Sequence, residues 1–516
     1  MTDYKSILTV DEAVCAEISA PPSGLVVFGA SGDLTRRKLL GSLFELFRHD
    51  LLPRSFYFLG CGRKSLTDAQ FQEIAEQAIR NTCDEIDDGD LKNFIERVYF
   101  ASGEYDNAEF YKKIMARQGE LDRRHDVKGN YVYYLAVPPG LYGTIARHLG
   151  EQGFNQSERG DAKRGVKLLI EKPFGRDLQT AVELNAQIGR YFDESQIYRI
   201  DHYLGKETVQ NILMLRFANA IFEPIWNRNY IDHIQITIAE SAGIEGRAGY
   251  YDSAGALRDM FQNHMLSMVA LAAMEPPGSF QAESIRDEKV KLLRAIHPFV
   301  LEPWETGIIR GQYRAGMIDG KAAAGYRDEE GVRGDSKTET YVCAKILIDN
   351  WRWKTVPFYV RTGKRLLKKI TEIAIVFKKV PHSMFASSGI EELPANELIL
   401  KIQPKEGIQL SFQAKRPGSK SCMSILHLNF NYSDVFGSRP PDAYERLLLD
   451  CMLGDQTLFT RQDDVEVSWR LLKPVLEAWE GDESLPHEYE AGCESFAAAD
   501  ALPESDGGSW RSLSRM

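Results

Sequence analysis

The sequence predicts an α/β chain in two parts: an N-terminal doubly wound parallel sheet, then an α+β domain with a large, mainly antiparallel sheet and covering helices. Three observations lead there. Near the start, "GLVVFGASGDLTRRKLLGSLFELFR" sets an apolar run, a glycine turn and an amphipathic helix in succession, the opening of a βαβ unit. Short apolar runs and helical stretches then alternate up to about Asp201, the rhythm of a parallel sheet wrapped by helices. Beyond it strands follow strands with short links, which favours antiparallel pairing.

In order along the chain, residues 1–22 read as an N-terminal extension. Residues 23–201 read as a dinucleotide-binding, Rossmann-like domain. Its strands are the run ending at Phe28, "SFYFLGCGR", "NYVYYLAVPPG" and "GVKLLIEKPFG", each stopped by Gly or Pro. "LTDAQFQEIAEQAIR" and "LYGTIARHLGEQG" are the helices between them. Residues 202–490 form the second domain. "HIQITIAES" alternates Ile234, Ile236 and Ile238 with polar neighbours, and "TYVCAKILID", "PFYVRTGK", "EIAIVFKK", "ELILKIQP", "GIQLSFQAK" and "SILHLNF" follow as strands. "DSAGALRDMFQNHMLSMVALAAM" reads as one helix over that sheet, with "PDAYERLLLDCMLGD" and "EVSWRLLKPVLEAWE" as further helices. The acidic, aliphatic-poor residues 491–516 read as a loosely held tail.

Length and charge narrow the function. At 516 residues the chain exceeds the roughly 250–300 at which one core stops growing, so two domains are expected. A net charge of -11 argues against a nucleic-acid partner, whose affinity comes from phosphate neutralisation. Seven scattered cysteines without a CxxC pair argue against a zinc ribbon or a disulfide framework, so no metal is expected. With no apolar run of about 18 residues and no basic flank at "MTDYKSILTVDEA", no membrane association is expected and a cytoplasmic location is.

Two glycines carry the nucleotide reading. Gly29 and Gly32 in "VVFGASGDLT" sit where a strand turns into a helix. There a bare backbone approaches a pyrophosphate and the helix N-terminus presents its amides. The spacing is G-x-x-G rather than G-x-G-x-x-G, and a ligand-free tight turn would use the same glycines. After the second strand stand Arg63 and Lys64 with no acid. That suits a 2′-phosphate rather than bare ribose hydroxyls.

Two histidine segments carry the chemistry. In "RIDHYLGKET" a helix starting at Asp201 would put His202 and Lys206 on one face, able to grip an anion, and turn Asp201 about 100° away. A capped helix start with surface charges would look the same. In "LRDMFQNHMLSMV", His264 lies among Met260, Phe261, Met265 and Met268, the setting of an ordinary core histidine. Asp259, Asn263 and the strand-ending Glu240 accompany it, and such a polar cluster needs partners, which a polyhydroxy ligand supplies.

"GASGDLTRRKL", "EKPFG", "RIDHYLGKETVQNIL", "RDMFQNHMLSMVAL", "VPFYVRTGKRL" and "LKIQPKEGI" occur in this order between about Val26 and Trp479, and together the chain resembles the glucose-6-phosphate dehydrogenase family. The resemblance implies oxidation of β-D-glucose 6-phosphate at C1 with NADP, NAD being a secondary cofactor, in a homodimer or homotetramer. It implies His264 as the base and Asp201 as its orienting carboxylate. His202, Tyr203, Lys206, Lys364 and Lys369 would surround the phosphorylated sugar, with Glu240, Asp259 and Gln403 on its hydroxyls and Lys172 where sugar and cofactor meet. Gly29, Ala30, Ser31, Gly32, Asp33 and Leu34 would form the pyrophosphate loop, and Arg63 the 2′-phosphate contact. Two rivals remain: a sugar oxidoreductase of the glucose-fructose oxidoreductase type, and a non-catalytic nucleotide-binding homologue.

Overall fold

The computed structural model describes residues 18–156, 165–299, 307–386, 391–418, 423–436 and 441–515; residues 1–17 of the expected extension, and Cys15 and Cys422, lie outside them. Its first sheet is made of β1 (Ser23–Phe28), β2 (Phe56–Gly62), β3 (Val98–Ser102), β4 (Tyr131–Leu135), β5 (Val166–Ile170) and β6 (Ile197–Ile200). They lie in the order β3-β2-β1-β4-β5-β6, all parallel. The strands are buried almost throughout, because helices such as Asp68–Thr82, Tyr142–Glu151 and Leu178–Gly189 cover the sheet. The strand order reverses between β1 and β4, the switch point at which such sheets bind ligands beyond their carboxyl ends.

Among the described residues the second sheet has nine strands. β7 (Ile231–Ala239), β8 (Ile308–Arg314), β11 (Tyr341–Ile346), β12 (Phe358–Gly363), β13 (Ile370–Phe377), β14 (Glu397–Gln403), β15 (Gly407–Lys415), β16 (Met423–Asn431) and β18 (His487–Glu490) form it, and β9 (Gly316–Ile318) and β10 (Lys321–Ala323) make a separate hairpin. The order is β16-β15-β14-β13-β7-β12-β11-β8-β18, antiparallel except at β7–β12 and β8–β18. The remaining strand, β17 (Phe459–Thr460), crosses back to pair antiparallel with β6 of the first sheet.

That return draws the late helices onto the first domain. Trp469 Nε1, in the helix Gln462–Gly481, donates to the carbonyl of Phe174. The helix Ala443–Leu453 passes so close to Gly205 that a Cβ there would stand 2.8 Å from the Ala443 carbonyl oxygen.

Three expectations are corrected. The single helix read over Asp252–Met274 is broken at Gly255, whose φ of 66° no ordinary side chain favours. The Glu339 carboxylate then accepts from Leu257 N–H, and the helix restarts as a wide π-helical turn, Leu257–Met265, before Leu266–Ala273. The helix expected from Asp201 begins only at Glu207. Asp201 Oδ1 accepts from Tyr203 N–H and ties the segment into turns instead.

The tail read as loosely held is packed against the second sheet. Leu502 and Leu513 are fully buried, and Arg511 reaches Glu372 at 2.8 Å and Glu397 at 2.5 Å. The sheet face beneath is lined by Gln235, Thr237, Arg361 and Glu372, all buried. These polar groups are met by the tail's own polar atoms, the Ser509 carbonyl accepting from Gln235 and the Arg511 carbonyl from Arg361. A polar composition was therefore the right one for this segment to be held.

Candidate active site

The glycine turn after β1 is closed by backbone chemistry. Gly29 has a φ of 87°, and a Cβ on it would stand 2.1 Å from the Ala136 carbonyl oxygen at the end of β4. Only glycine fits this position, and the turn is held there by Tyr105 Oη accepting from Gly29 N–H and by Gly32 N–H donating to the Gly29 carbonyl. Ala30, Ser31, Gly32, Asp33 and Leu34 carry the chain into the helix that continues to Arg48. No side chain caps the start of that helix, and the end of β1 beside the switch point is the right place for a pyrophosphate. Arg63 and Lys64 follow β2, both exposed, with no carboxylate between Gly62 and Leu66. The turn and the cation at the neighbouring strand fit a dinucleotide carrying a 2′-phosphate.

The carboxyl ends of β5 and β6 bring Lys172 and Asp201 to the π-helical turn. His264 sits between them: Nδ1 is 2.5 Å from Asp201 Oδ1, and Nε2 is 2.8 Å from Lys172 Nζ. An ammonium can only donate, so Nε2 is the acceptor and Nδ1 carries the proton to the carboxylate. Lys172 also donates to the Asp259 carbonyl at 2.8 Å and to its carboxylate at 3.3 Å. Tyr250 Oη donates to that carboxylate at 3.2 Å.

Burial lowers the basicity of His264, with the Lys172 charge adding to the effect and Asp201 opposing it only in part. For Asp201 burial alone would raise the pKa, but the charge and hydrogen bond of His264 hold it well below the usual carboxylate range. Asp259 is held at about 2, its burial outweighed by Lys172 and Lys364. His202 packs edge-on to His264, with 4.7 Å between ring centroids. Burial, with the Lys172 charge adding to it, presses its pKa far down, so it is no second cation.

A cationic rim faces this centre. Lys206 Nζ lies 4.2 Å above the Tyr203 ring and donates to Gln403 Oε1 at 2.6 Å; Gln403 Nε2 in turn donates to Thr371. Burial and the like charge of Lys369 lower Lys206 to about 8, with Glu406 opposing them only in part. Lys364, after β12, pairs with Glu240, at the end of β7, at 2.7 Å.

The residues expected at the site therefore converge on one junction, contributed by the ends of β5, β6, β7, β12 and β14, while the glycine loop and Arg63 stand at the ends of β1 and β2. The shared helical face argued for His202 and Lys206 does not exist; turns place them instead. Tyr250 and Thr371 were not legible beforehand, because their spacing to their partners follows no periodic rule. Nor did the sequence signal Ser267, Thr460, Asp464 and Ser468, which wall a small cavity against His264.

Known proteins resemble this chain over nearly its whole length. Residues 26–211 match the family model for the glucose-6-phosphate dehydrogenase NAD binding domain, and residues 213–511 that for the glucose-6-phosphate dehydrogenase C-terminal domain. The glucose-6-phosphate 1-dehydrogenase of Aggregatibacter actinomycetemcomitans is 47% identical over 493 residues, covering 94% of this chain and 97% of that protein. The one from Rhizobium meliloti is 42% identical, covering 96% and 98%. A solved glucose-6-phosphate dehydrogenase in complex with its substrate glucose-6-phosphate superposes with a TM-score of 0.87 at 36% identity, covering 97% of this chain and 100% of that one. With two adjoining models matched and relatives covered over nearly their whole length, the chain belongs to the glucose-6-phosphate dehydrogenase family.

Proposed function

We propose that the protein oxidises β-D-glucose 6-phosphate at C1 to 6-phosphoglucono-δ-lactone with NADP⁺, the first oxidative step of the pentose phosphate pathway. The observation that carries the reading is the alignment of Asp201, His264 and Lys172, one imidazole held in one tautomer beside a rim of cations. His264 Nε2 takes the C1 hydroxyl proton, and the Asp201 carboxylate stabilises the imidazolium that results. The hydroxyl replaces Lys172 at the Nε2 lone pair, and Lys172 stays tied to Asp259. The nicotinamide, when bound, supplies the acceptor for the hydrogen and electron pair that leave C1 as its C=O forms. Gly29 to Leu34 hold its pyrophosphate and Arg63 its 2′-phosphate, with NAD a poorer fit.

Lys206, Lys369, His202 and Tyr203 bind the sugar phosphate. Glu240, Asp259, Lys364 and Gln403 discriminate the hydroxyls, because an analogue lacking one strands a buried polar group. The non-catalytic reading would need a lost base or cation, and Asp201, His202, Lys206 and His264 are all in place.

The exposed leucines and isoleucine of β16, Ile425, Leu426 and Leu428, support a second copy of the chain as partner, in a homodimer or a homotetramer built from it. The cysteines Cys61, Cys83, Cys343, Cys451 and Cys493 are unpaired, which supports a reducing cytoplasm. Among the described residues no helix is long and apolar enough to cross a membrane. An absorbance assay at 340 nm tests the function: turnover is expected with glucose 6-phosphate and NADP⁺, and turnover of free glucose but not its 6-phosphate would favour the other sugar oxidoreductases.

A further inference from the structure

Against the His264 ring lies a small, largely enclosed cavity of about 10 Å³. Its walls include Asp201, Ser267, Thr460, Asp464 and Ser468. Asp201 is 2% exposed, and its second oxygen, Oδ2, is buried without a hydrogen-bond partner. A buried carboxylate oxygen left so carries the full cost of its lost hydration. Across the cavity stands a second buried carboxylate, Asp464, with Lys289 Nζ 3.1 Å from its Oδ2. Two carboxylates cannot satisfy each other directly. A water can join them, since it donates two hydrogen bonds and accepts others from the hydroxyls around it, and a single water needs about 10–15 Å³ of polar space.

We infer that this cavity holds one water that donates to Asp201 Oδ2 and to Asp464, accepts from two of the three hydroxyls of Ser267, Thr460 and Ser468, and sets how strongly Asp201 supports His264. These are positioning residues, since they act on the reacting centre through the water and the carboxylate. The device is built from both ends of the fold: Asp201 closes β6, Ser267 extends the helix of His264, and Thr460, Asp464 and Ser468 come from β17 and the helix after it. Its chemistry follows from charge. A donor on Oδ2 disperses the carboxylate's negative charge and so weakens its hold on the Nδ1 proton. Without the water the imidazolium is held more firmly, and His264 stays protonated to higher pH. The other charged or titratable groups facing His264 are Lys172, His202, Tyr203 and Asp259, and none of them lines the three-hydroxyl wall except Lys172 at its margin.

The inference rests on His264 being the base, and two measurements separate the two ideas. A crystal structure of the unaltered enzyme at a resolution that orders buried waters is expected to show one within hydrogen-bond distance of Asp201 Oδ2 and Asp464. Its absence there, or a water touching neither carboxylate, overturns the inference whatever His264 does. Ser267→Val, which fills the cavity, is expected to move the acid limb of kcat/KM up by about one pH unit, a tenfold change at fixed low pH, with both KM values at the plateau within twofold. Ser267→Thr, which keeps a hydroxyl, should move it less. Thr460→Val removes a hydroxyl at constant volume and serves if Ser267→Val does not fold. An unmoved limb in a folded Val variant also overturns the inference, whereas normal turnover by His264→Asn would overturn the base assignment alone.

Discussion

Lys172 Nζ stands 2.8 Å from Nε2 of His264, on the opposite edge of the ring from the Asp201 carboxylate. The imidazole is thus fixed from both sides before any substrate arrives. Asp201 selects the Nδ1–H tautomer and Lys172 marks where the free lone pair lies. Such preorganisation spares the reaction the cost of finding the right tautomer and rotamer.

Removing the lone pair should therefore remove the chemistry. His264→Asn is expected to lower kcat by roughly 10²–10⁴, with KM for glucose 6-phosphate changed by no more than a few fold. Asp201→Asn should fall in the same range because an amide no longer enforces the tautomer. Steady-state kinetics on folded variants decide it, and near-normal turnover by His264→Asn would end its candidacy as base.

The acid limb of kcat/KM should lie below the ordinary imidazole value of about 6.5. Burial disfavours charged His264 and Lys172 adds to this, so the neutral, working form persists to lower pH. Lys172→Met deletes a cation beside Nε2, favours the imidazolium, and should shift the limb to higher pH. Stability follows the same sign. His264, lowered when folded, and Asp201, also lowered, each bind more protons in the unfolded chain, so stability is present above the unfolded pKa values and falls as pH drops through them. A Tm against pH series on wild type and His264→Asn should show the loss between about pH 6.5 and lower values blunted in the variant.

Lys206, at about 8 in the free protein, should carry an anion-dependent phenotype. Lys206→Ala is expected to raise KM for glucose 6-phosphate by about tenfold or more, the scale of a charge-assisted hydrogen bond, with a smaller effect on kcat. In the wild type the same KM should climb above about pH 8 as the free enzyme loses this proton. A KM indifferent to the substitution would remove Lys206 from the phosphate site.

What the sequence disclosed follows from what is periodic or local. The glycine turn, the β1–β2 pair and the strands from β11 to β16 announce themselves in runs of apolar residues. The four-residue β6 and the two-residue β17 are too short for a pattern to stand above noise. The site was legible as segments, since Asp201, Lys206 and His264 lie in distinctive strings, but not as geometry. Whether Asp201 faces His202 or His264 depends on a turn set by Tyr203 N–H and on the π-helical turn of Leu257–Met265, and neither has a residue code.

Arg63→Ala should separate the two cofactors. The side chain is exposed at the end of β2, where it can serve only a group outside the sheet. KM for NADP⁺ is expected to rise about tenfold or more, as for loss of a charged hydrogen bond, while NAD⁺ kinetics change by no more than about twofold. Equal losses with both would show that Arg63 does not read the 2′-phosphate.

The tail offers the sharpest contrast between composition and burial. Trp510 is 8% exposed, donates its indole N–H to the Ala499 carbonyl, and lies 4.7 Å from the Arg361 guanidinium. Arg361 belongs to β12, whose end leads to Lys364, and it also bonds Thr237 on β7, the strand that ends at Glu240. Trp510→Ala should therefore cost about 3–5 kcal/mol by lost packing, whereas Trp351→Ala, at a residue 92% exposed, should change stability by no more than about 0.5 kcal/mol. Denaturant unfolding of the two variants side by side measures this. Because the lost packing lies beneath the strands that present Glu240 and Lys364, Trp510→Ala should also raise KM for the sugar phosphate while sparing KM for NADP⁺, which binds at the other sheet. A tail that merely hung from the surface would leave both KM values and the unfolding midpoint where they were.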